Sequence, residues 1–228
     1  MNKAPSKAGT VFALAAAVIF CAVMTVTEQV VRPTYWIKCA VKAGLILPAL
    51  IIYARTFRID LRDVTGLYPM KAPRSLFLVT GGACAVILAA FFLLRGRLDL
   101  AGIRASLMSK EGLTKENCLF VFTYIIICNS FLEEVFFRGF LTGALKERMG
   151  FWRAAVLSAA FFALYHIGIV SGWFSLPVMA LAVAGLMAAG IILQLADRSK
   201  GSLKAGWLIH AGADLAITAI GAGLIFFG

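Results

Sequence analysis

Charged side chains are scarce in this chain: Asp, Glu, Lys and Arg make up 14% of its 228 residues, while 61% are hydrophobic and the mean hydropathy is +0.91. Soluble domains carry about 25% charged residues, so these values exclude an ordinary soluble fold and point to a polytopic membrane protein. Cysteine is present but unorganised. Cys21, Cys39, Cys84, Cys118 and Cys128 lie in or beside apolar stretches, with no CxxC or Cys/His ligand spacing, which argues against a disulfide framework and a cysteine zinc site. Acidic residues number 11 against 22 Lys and Arg, and most of the basic residues fall between the apolar runs, as membrane anchoring requires. No basic run is interleaved with stacking aromatics, so no nucleic-acid partner is expected. Histidine is scarce as well, with only His166 and His210.

A bilayer core of about 30 Å needs roughly 20 apolar residues in a helix. Seven stretches meet or approach that length: 8–30, 35–54, 75–94, 117–142, 151–170, 173–196 and 203–227. The first follows Lys3 and Lys7, but it is longer than a signal-peptide core and lacks a small-x-small exit, so it reads as a membrane helix. Lys38 and Lys42 in the second are expected to snorkel toward the interface, and Pro48 to kink that helix. The polar linkers 55–74 and 95–116 carry spaced apolar residues suited to the membrane surface. In the second of them, Leu100, Ile103 and Leu107 share a helical face flanked by Arg97, Arg104 and Lys110. Without internal repeats, the chain reads as one integrated all-α membrane domain, a seven-helix bundle. Its N-terminal helices and linkers span 1–114 and its core 115–228.

Ionisable residues at a membrane helix centre cost about 2.5 to 3.5 kcal/mol each on insertion scales, so they persist where they line a cavity or do chemistry. Glu133, Glu134, Arg138, His166, His210 and Asp214 are such residues. Positions four apart are neighbours on a helix, which pairs Glu134 with Arg138, Phe162 with His166, and His210 with Asp214. Glu133 is rotated about 100° from Glu134, so the two carboxylates are free to take different roles. Depth supplies a second argument. Glu133 precedes a turn near Met149 by 16 residues and His166 follows it by 17, which sets them level in antiparallel helices. His210 and Asp214 follow a turn near Lys200 by 10 and 14 residues, so they are able to reach a similar depth. A carboxylate and an imidazole at one level can deprotonate water, while a second imidazole and a polar group can hold an oxyanion. With Arg138 on Glu134, Glu133 is the better general base.

The chain here resembles a known family. Glu133-Glu134-Val135-Phe136-Phe137-Arg138 matches EExxxR, Phe162 to His166 matches FxxxH, and His210 to Asp214 matches the HxxxN/D motif of the CAAX prenyl endopeptidase and bacteriocin-processing family. Order and separation agree too, and the resemblance covers roughly 115–227. It implies an intramembrane glutamic protease on an all-helical bundle, in which Glu133 activates water, His166 assists and His210 with position 214 holds the oxyanion. Glu134 and Arg138 then brace the site, with Phe162 packed against it. Aspartate stands at 214 where the family often has an amide. An ionised Asp214 repels an oxyanion, so it is protonated, orients His210, or leaves the hole to His210 alone.

Taken singly, each histidine reads as a satisfied core residue and Asp214 as interhelical polar glue. Tyr124 and Asn129 carry no motif, and Gly185 and Gly190 suit close helix packing. The leading function is an endopeptidase acting on a peptide or membrane-protein substrate in the lipid bilayer, in a bacterial plasma membrane. The alternative is a non-catalytic bacteriocin-immunity or scaffolding protein of the same family. No cofactor is expected. Zinc is disfavoured because no HExxH is present and two of its candidate ligands are adjacent on one helix. A proton-coupled transporter ranks last, without broken-helix pairs or repeat symmetry.

Overall fold

A backbone in hydrocarbon must satisfy its own N–H and C=O groups, and a helix does so within one segment. In the computed structural model, which describes residues 7–71, 73–170 and 172–228, all regular structure among those residues is helical; Lys3 lies outside them. Among the described residues, seven helices are long and apolar enough to cross a membrane: Lys7–Val31, Tyr35–Phe57, Arg74–Arg97, Cys118–Met149, Phe151–Val170, Leu176–Lys200 and Lys204–Phe227. They occupy the seven expected stretches. The largest difference is in the fourth span, which runs on past Thr142 to Met149.

The fourth span is the pillar of the bundle. Every residue from Glu133 to Thr142 is buried, so this segment is enclosed on all sides. The first, second, fifth, sixth and seventh spans all pack on it, and the third packs on the seventh. Phe20, Phe136, Phe137, Phe140 and Tyr165 form the main aromatic core, with Phe20 4.6 Å from Phe136 and 5.2 Å from Tyr165 between ring centroids. Two stretches of this span, Ile125–Asn129 and Val135–Thr142, wind as wider π turns on either side of the α-helical Ser130–Glu134. Such turns recur at functional sites and release carbonyls that need new donors. Side chains supply them here. The Phe137 carbonyl accepts from Ser158 Oγ at 2.7 Å and Thr142 Oγ1 at 3.0 Å, and the Ile127 carbonyl accepts from the Trp207 indole N–H at 3.2 Å.

The linkers are tied into the bundle. In the first, helix Leu61–Thr65 begins at Asp60, whose carboxylate accepts from the Arg62 N–H at 2.7 Å. Its Val64 and Thr65 are buried against the fourth span, so this linker folds inward where a surface segment was expected. In the second, helix Leu100–Ser109 buries Ile103, and the Trp173 indole N–H donates to Ser106 Oγ at 2.9 Å. That helix keeps its expected amphipathic placement.

Lys38 and Lys42 do not snorkel. They are 4% and 6% exposed and point into the protein, each beside a carboxylate at 2.8 Å. A lysine in apolar surroundings gains more from a counter-ion within hydrogen-bond reach than from stretching to a distant interface. Pro48 lies inside the continuous helix Tyr35–Phe57.

Two of the glycines show which close approaches matter. At Gly139 an added Cβ would lie 2.5 Å from the Thr65 carbonyl oxygen, which is backbone and has little room to yield. At Gly190 it would lie 2.9 Å from Ala159 Cβ, whereas Gly185 has no neighbour within 4 Å and so plays no part in close packing. Gly139→Ala is therefore expected to destabilise the protein by about 1 to 3 kcal/mol through overpacking. Gly185→Ala should leave the thermal unfolding midpoint in detergent unchanged or slightly raised. A comparison of the two melting curves checks both.

Candidate active site

Glu133 lies at the centre of the enclosed pillar, 1% exposed. Its two oxygens have different surroundings. Oε1 accepts three hydrogen bonds from three spans: from Lys42 Nζ at 2.8 Å, Asn129 Nδ2 at 3.0 Å and the Tyr165 hydroxyl at 3.2 Å. Lys42 also donates to Asn129 Oδ1 and sits 4.9 Å from the centre of the Tyr165 ring. Oε2 has no hydrogen-bond partner among the described residues. It faces His166 Nε2 at 3.7 Å and His210 Nε2 at 3.9 Å.

Each imidazole is fixed through its other nitrogen. His166 Nδ1 is 2.8 Å from the Phe162 carbonyl one turn earlier. A carbonyl only accepts, so Nδ1 carries a proton, and in the neutral imidazole the Nε2 lone pair is directed at the Glu133 side of the site. His210 Nδ1 lies 2.7 Å from Glu134 Oε1, and the same oxygen is 3.1 Å from Arg138 Nη1. Glu134 Oε1 is thus shared by a guanidinium and an imidazole. Phe162 packs between these groups, its ring 4.3 Å from that of His166, 5.6 Å from that of His210, and 4.1 Å from the Arg138 guanidinium carbon.

The structure brings together all seven residues singled out in the sequence: Glu133, Glu134, Arg138, Phe162, His166, His210 and Asp214. One pairing differs from the spacing argument. Asp214 Oδ1 is 3.8 Å from His210 Nε2, beyond a hydrogen bond, and His210 takes Glu134 as its partner. Helical spacing identified a neighbour, but the tighter contact came from another helix. Lys42, Asn129 and Tyr165 were missed as site residues. Asn129 one turn before Glu133, and Tyr165 beside His166, were the available signals; Lys42 had only its place in an apolar stretch.

Asp197 was missed as well. Its Oδ1 accepts from the Gly206 N–H at 2.6 Å, tying the sixth span to the start of the seventh. An added Cβ at Gly206 would lie 2.7 Å from Asp197 Oδ1 and 2.9 Å from Glu134 Oε2, so glycine lets both carboxylates approach the seventh helix.

Among the described residues, no group of three or more His, Cys, Asp and Glu side chains has the arrangement to hold a metal ion. The position nearest to one, at Glu133, already has an ammonium in contact. A surface cavity of about 1290 Å³ is lined in part by Arg138, Gly139, Gln194 and Asp197.

Fold and site together define a multi-pass, all-helical membrane protein with a buried carboxylate–histidine centre held by four of its spans. Residues 115–216 match the family model described as Rce1-like, Type II CAAX prenyl endopeptidase Rce1-like, and this part of the chain is similar to that CAAX protease family. The match takes in all three sequence motifs. Comparison with curated proteins and with solved structures found no match.

Removing one member of a buried ion pair leaves the other uncompensated, at a cost of about 3 to 5 kcal/mol. Arg138→Met is therefore expected to lower the thermal unfolding midpoint strongly. Adding Glu134→Gln to that variant should recover part of the loss, a non-additivity that a double-mutant cycle measured in detergent or lipid discs reads directly.

Proposed function

We propose that this protein is an intramembrane endopeptidase that hydrolyses a peptide bond in a membrane-associated protein or peptide, with Glu133 as general base. The observation that carries the reading is the asymmetry of Glu133. One oxygen is saturated by donors, and the other is buried, without a protein partner, and directed at two imidazole nitrogens. The 3.7 and 3.9 Å separations are too long for direct hydrogen bonds but suit a single water bridging Oε2 and the His166 Nε2 lone pair.

In this mechanism the water gives a proton to Glu133 as its oxygen attacks the carbonyl carbon. The proton then passes from Glu133 to the leaving amine as the C–N bond breaks. His210 holds the oxyanion. Its Nδ1–H is engaged by ionised Glu134, which stabilises a second proton on Nε2, and that N–H is the donor that meets the developing charge. Asp214 lies 3.8 Å from the same nitrogen, close enough to favour the imidazolium but not to occupy its hydrogen. The oxyanion hole thus rests on His210.

No metal takes part in this reading. The Lys42 ammonium lies 2.8 Å from the carboxylate a zinc ion would need, and two cations at that spacing repel. The protein acts within a bilayer, proposed to be a bacterial plasma membrane, and its N-terminal and C-terminal halves work as one unit. Because the matching family is described as a CAAX prenyl endopeptidase, a quenched fluorescent prenylated CAAX peptide is the first probe to use.

Glu133→Gln preserves shape and removes the base, so kcat on that probe should fall by about 10² to 10⁴-fold in protein that still folds, with a melting point lowered by the loss of the Lys42 counter-charge. Full activity in this variant would exclude Glu133 as the general base. Activity should survive a zinc chelator. Asp214→Asn, which replaces a carboxylate by a donor-bearing amide, should match or exceed the wild-type rate; a loss comparable to Glu133→Gln would instead make the Asp214 carboxylate essential.

A further inference from the structure

We propose that Lys42, contributed by the second span, is a positioning residue of the site: it holds Glu133 as a carboxylate and commits one oxygen, leaving the other free for water. The inference rests on the reading of Glu133 as the base. It concerns a residue far from the three motifs and outside the matched segment 115–216.

The groups facing Glu133 can be taken span by span. The fourth span presents Asn129, a neutral donor, while its Arg138 is engaged with Glu134. The fifth presents the Tyr165 hydroxyl, also neutral, and His166, whose near nitrogen is a lone pair at 3.7 Å. The seventh presents His210 at 3.9 Å and Asp214, a further carboxyl. Lys42 is the one fully charged donor in hydrogen-bond contact with Glu133 among the described residues.

Lys42 is itself held in place. It donates to Asn129 Oδ1, lies over the Tyr165 ring and is 6% exposed. Lys38, one turn earlier on the same face, does not compete for Glu133, because Glu28 and Glu111 each bind it at 2.8 Å. The ammonium, the amide and the hydroxyl all choose Oε1. A carboxylate so anchored cannot rotate to exchange its oxygens, which fixes Oε2 against the histidines. Without Lys42, only two neutral donors would be in hydrogen-bond contact with the buried carboxylate, and the nearest cation would be the His210 imidazolium at 3.9 Å, which burial makes a poor substitute.

The test uses the full chain in lipid discs, with two readouts. Isotope-edited infrared difference spectra against Glu133→Gln report whether the carboxyl at 133 is ionised. The wild type should show a carboxylate band that Lys42→Met replaces with the band of a protonated carboxyl and Lys42→Arg restores. On the quenched prenylated CAAX peptide, Lys42→Met should lower kcat by about 100-fold, as expected of a misplaced catalytic group, with KM within about two-fold. Lys42→Arg should recover about ten-fold or more of that loss by restoring a positive charge.

A carboxylate band that persists in Lys42→Met, or a wild-type kcat in that variant, overturns the proposal. So does failure of Lys42→Arg to recover either readout. If the wild type does not cleave the probe, the activity on that probe fails and the infrared readout alone decides the role of Lys42. Should Lys42→Met not fold, Lys42→Gln keeps a long polar side chain without the charge and is read in the same two ways.

Discussion

A carboxylate carried from water into an apolar interior survives as an ion only beside a counter-charge with its remaining lone pairs satisfied, and this bundle is arranged around that requirement. Three charge clusters supply the counter-charges, while Oε2 of Glu133 and Oε2 of Glu134 have no hydrogen-bond partner among the described residues. Glu133 is met by Lys42 with Asn129 and Tyr165, Glu134 by Arg138 and His210, and Glu28 by Lys38, with Lys110 and Glu111 completing the third. Because partners come from different spans, each cluster is also a cross-link. The Glu133 cluster alone joins the second, fourth and fifth spans, and the Glu134 cluster joins the fourth to the seventh. Electrostatic compensation and helix assembly are here the same set of contacts.

Enclosing the fourth span creates a backbone problem that the same structure resolves. Its π turns rotate the glutamates relative to an unbroken α-helix and release carbonyls in a place water does not reach. Ser158, Thr142 and Trp207 fill those acceptors from neighbouring positions. Gly139 and Gly190 let a linker helix and the sixth span close onto the bundle at distances a larger residue would forbid. The first linker is held over this end by the Leu203 N–H donating to the Gly66 carbonyl at 3.0 Å and by Ser202 Oγ donating to the Tyr68 carbonyl at 2.8 Å. The site therefore sits on rigid helices with few degrees of freedom, as the proposed positioning of one water requires.

The residues that confer asymmetry on Glu133 are the least conspicuous ones. Lys42 has the composition of an anchor, Asn129 that of an incidental polar residue, and Tyr165 that of a core aromatic. Together they distinguish the two oxygens of a single carboxylate. The histidines face the opposite oxygen, each held through its remote nitrogen, by a carbonyl for His166 and by the Glu134 carboxyl group for His210.

The sequence by itself determined the membrane class, the seven spans, the membership of the motif residues in one site and the pairing of Glu134 with Arg138. These follow from length, hydropathy and i,i+4 spacing, which are local properties of a helix. Only the tertiary structure decided that Lys38 and Lys42 turn inward, that the first linker packs on Gly139, that His210 bonds Glu134 in preference to Asp214, and which oxygen of Glu133 is free. Those outcomes depend on which helices become neighbours and how they rotate. Helical periodicity gives the direction of a side chain around its own axis but not the group that another helix brings to meet it.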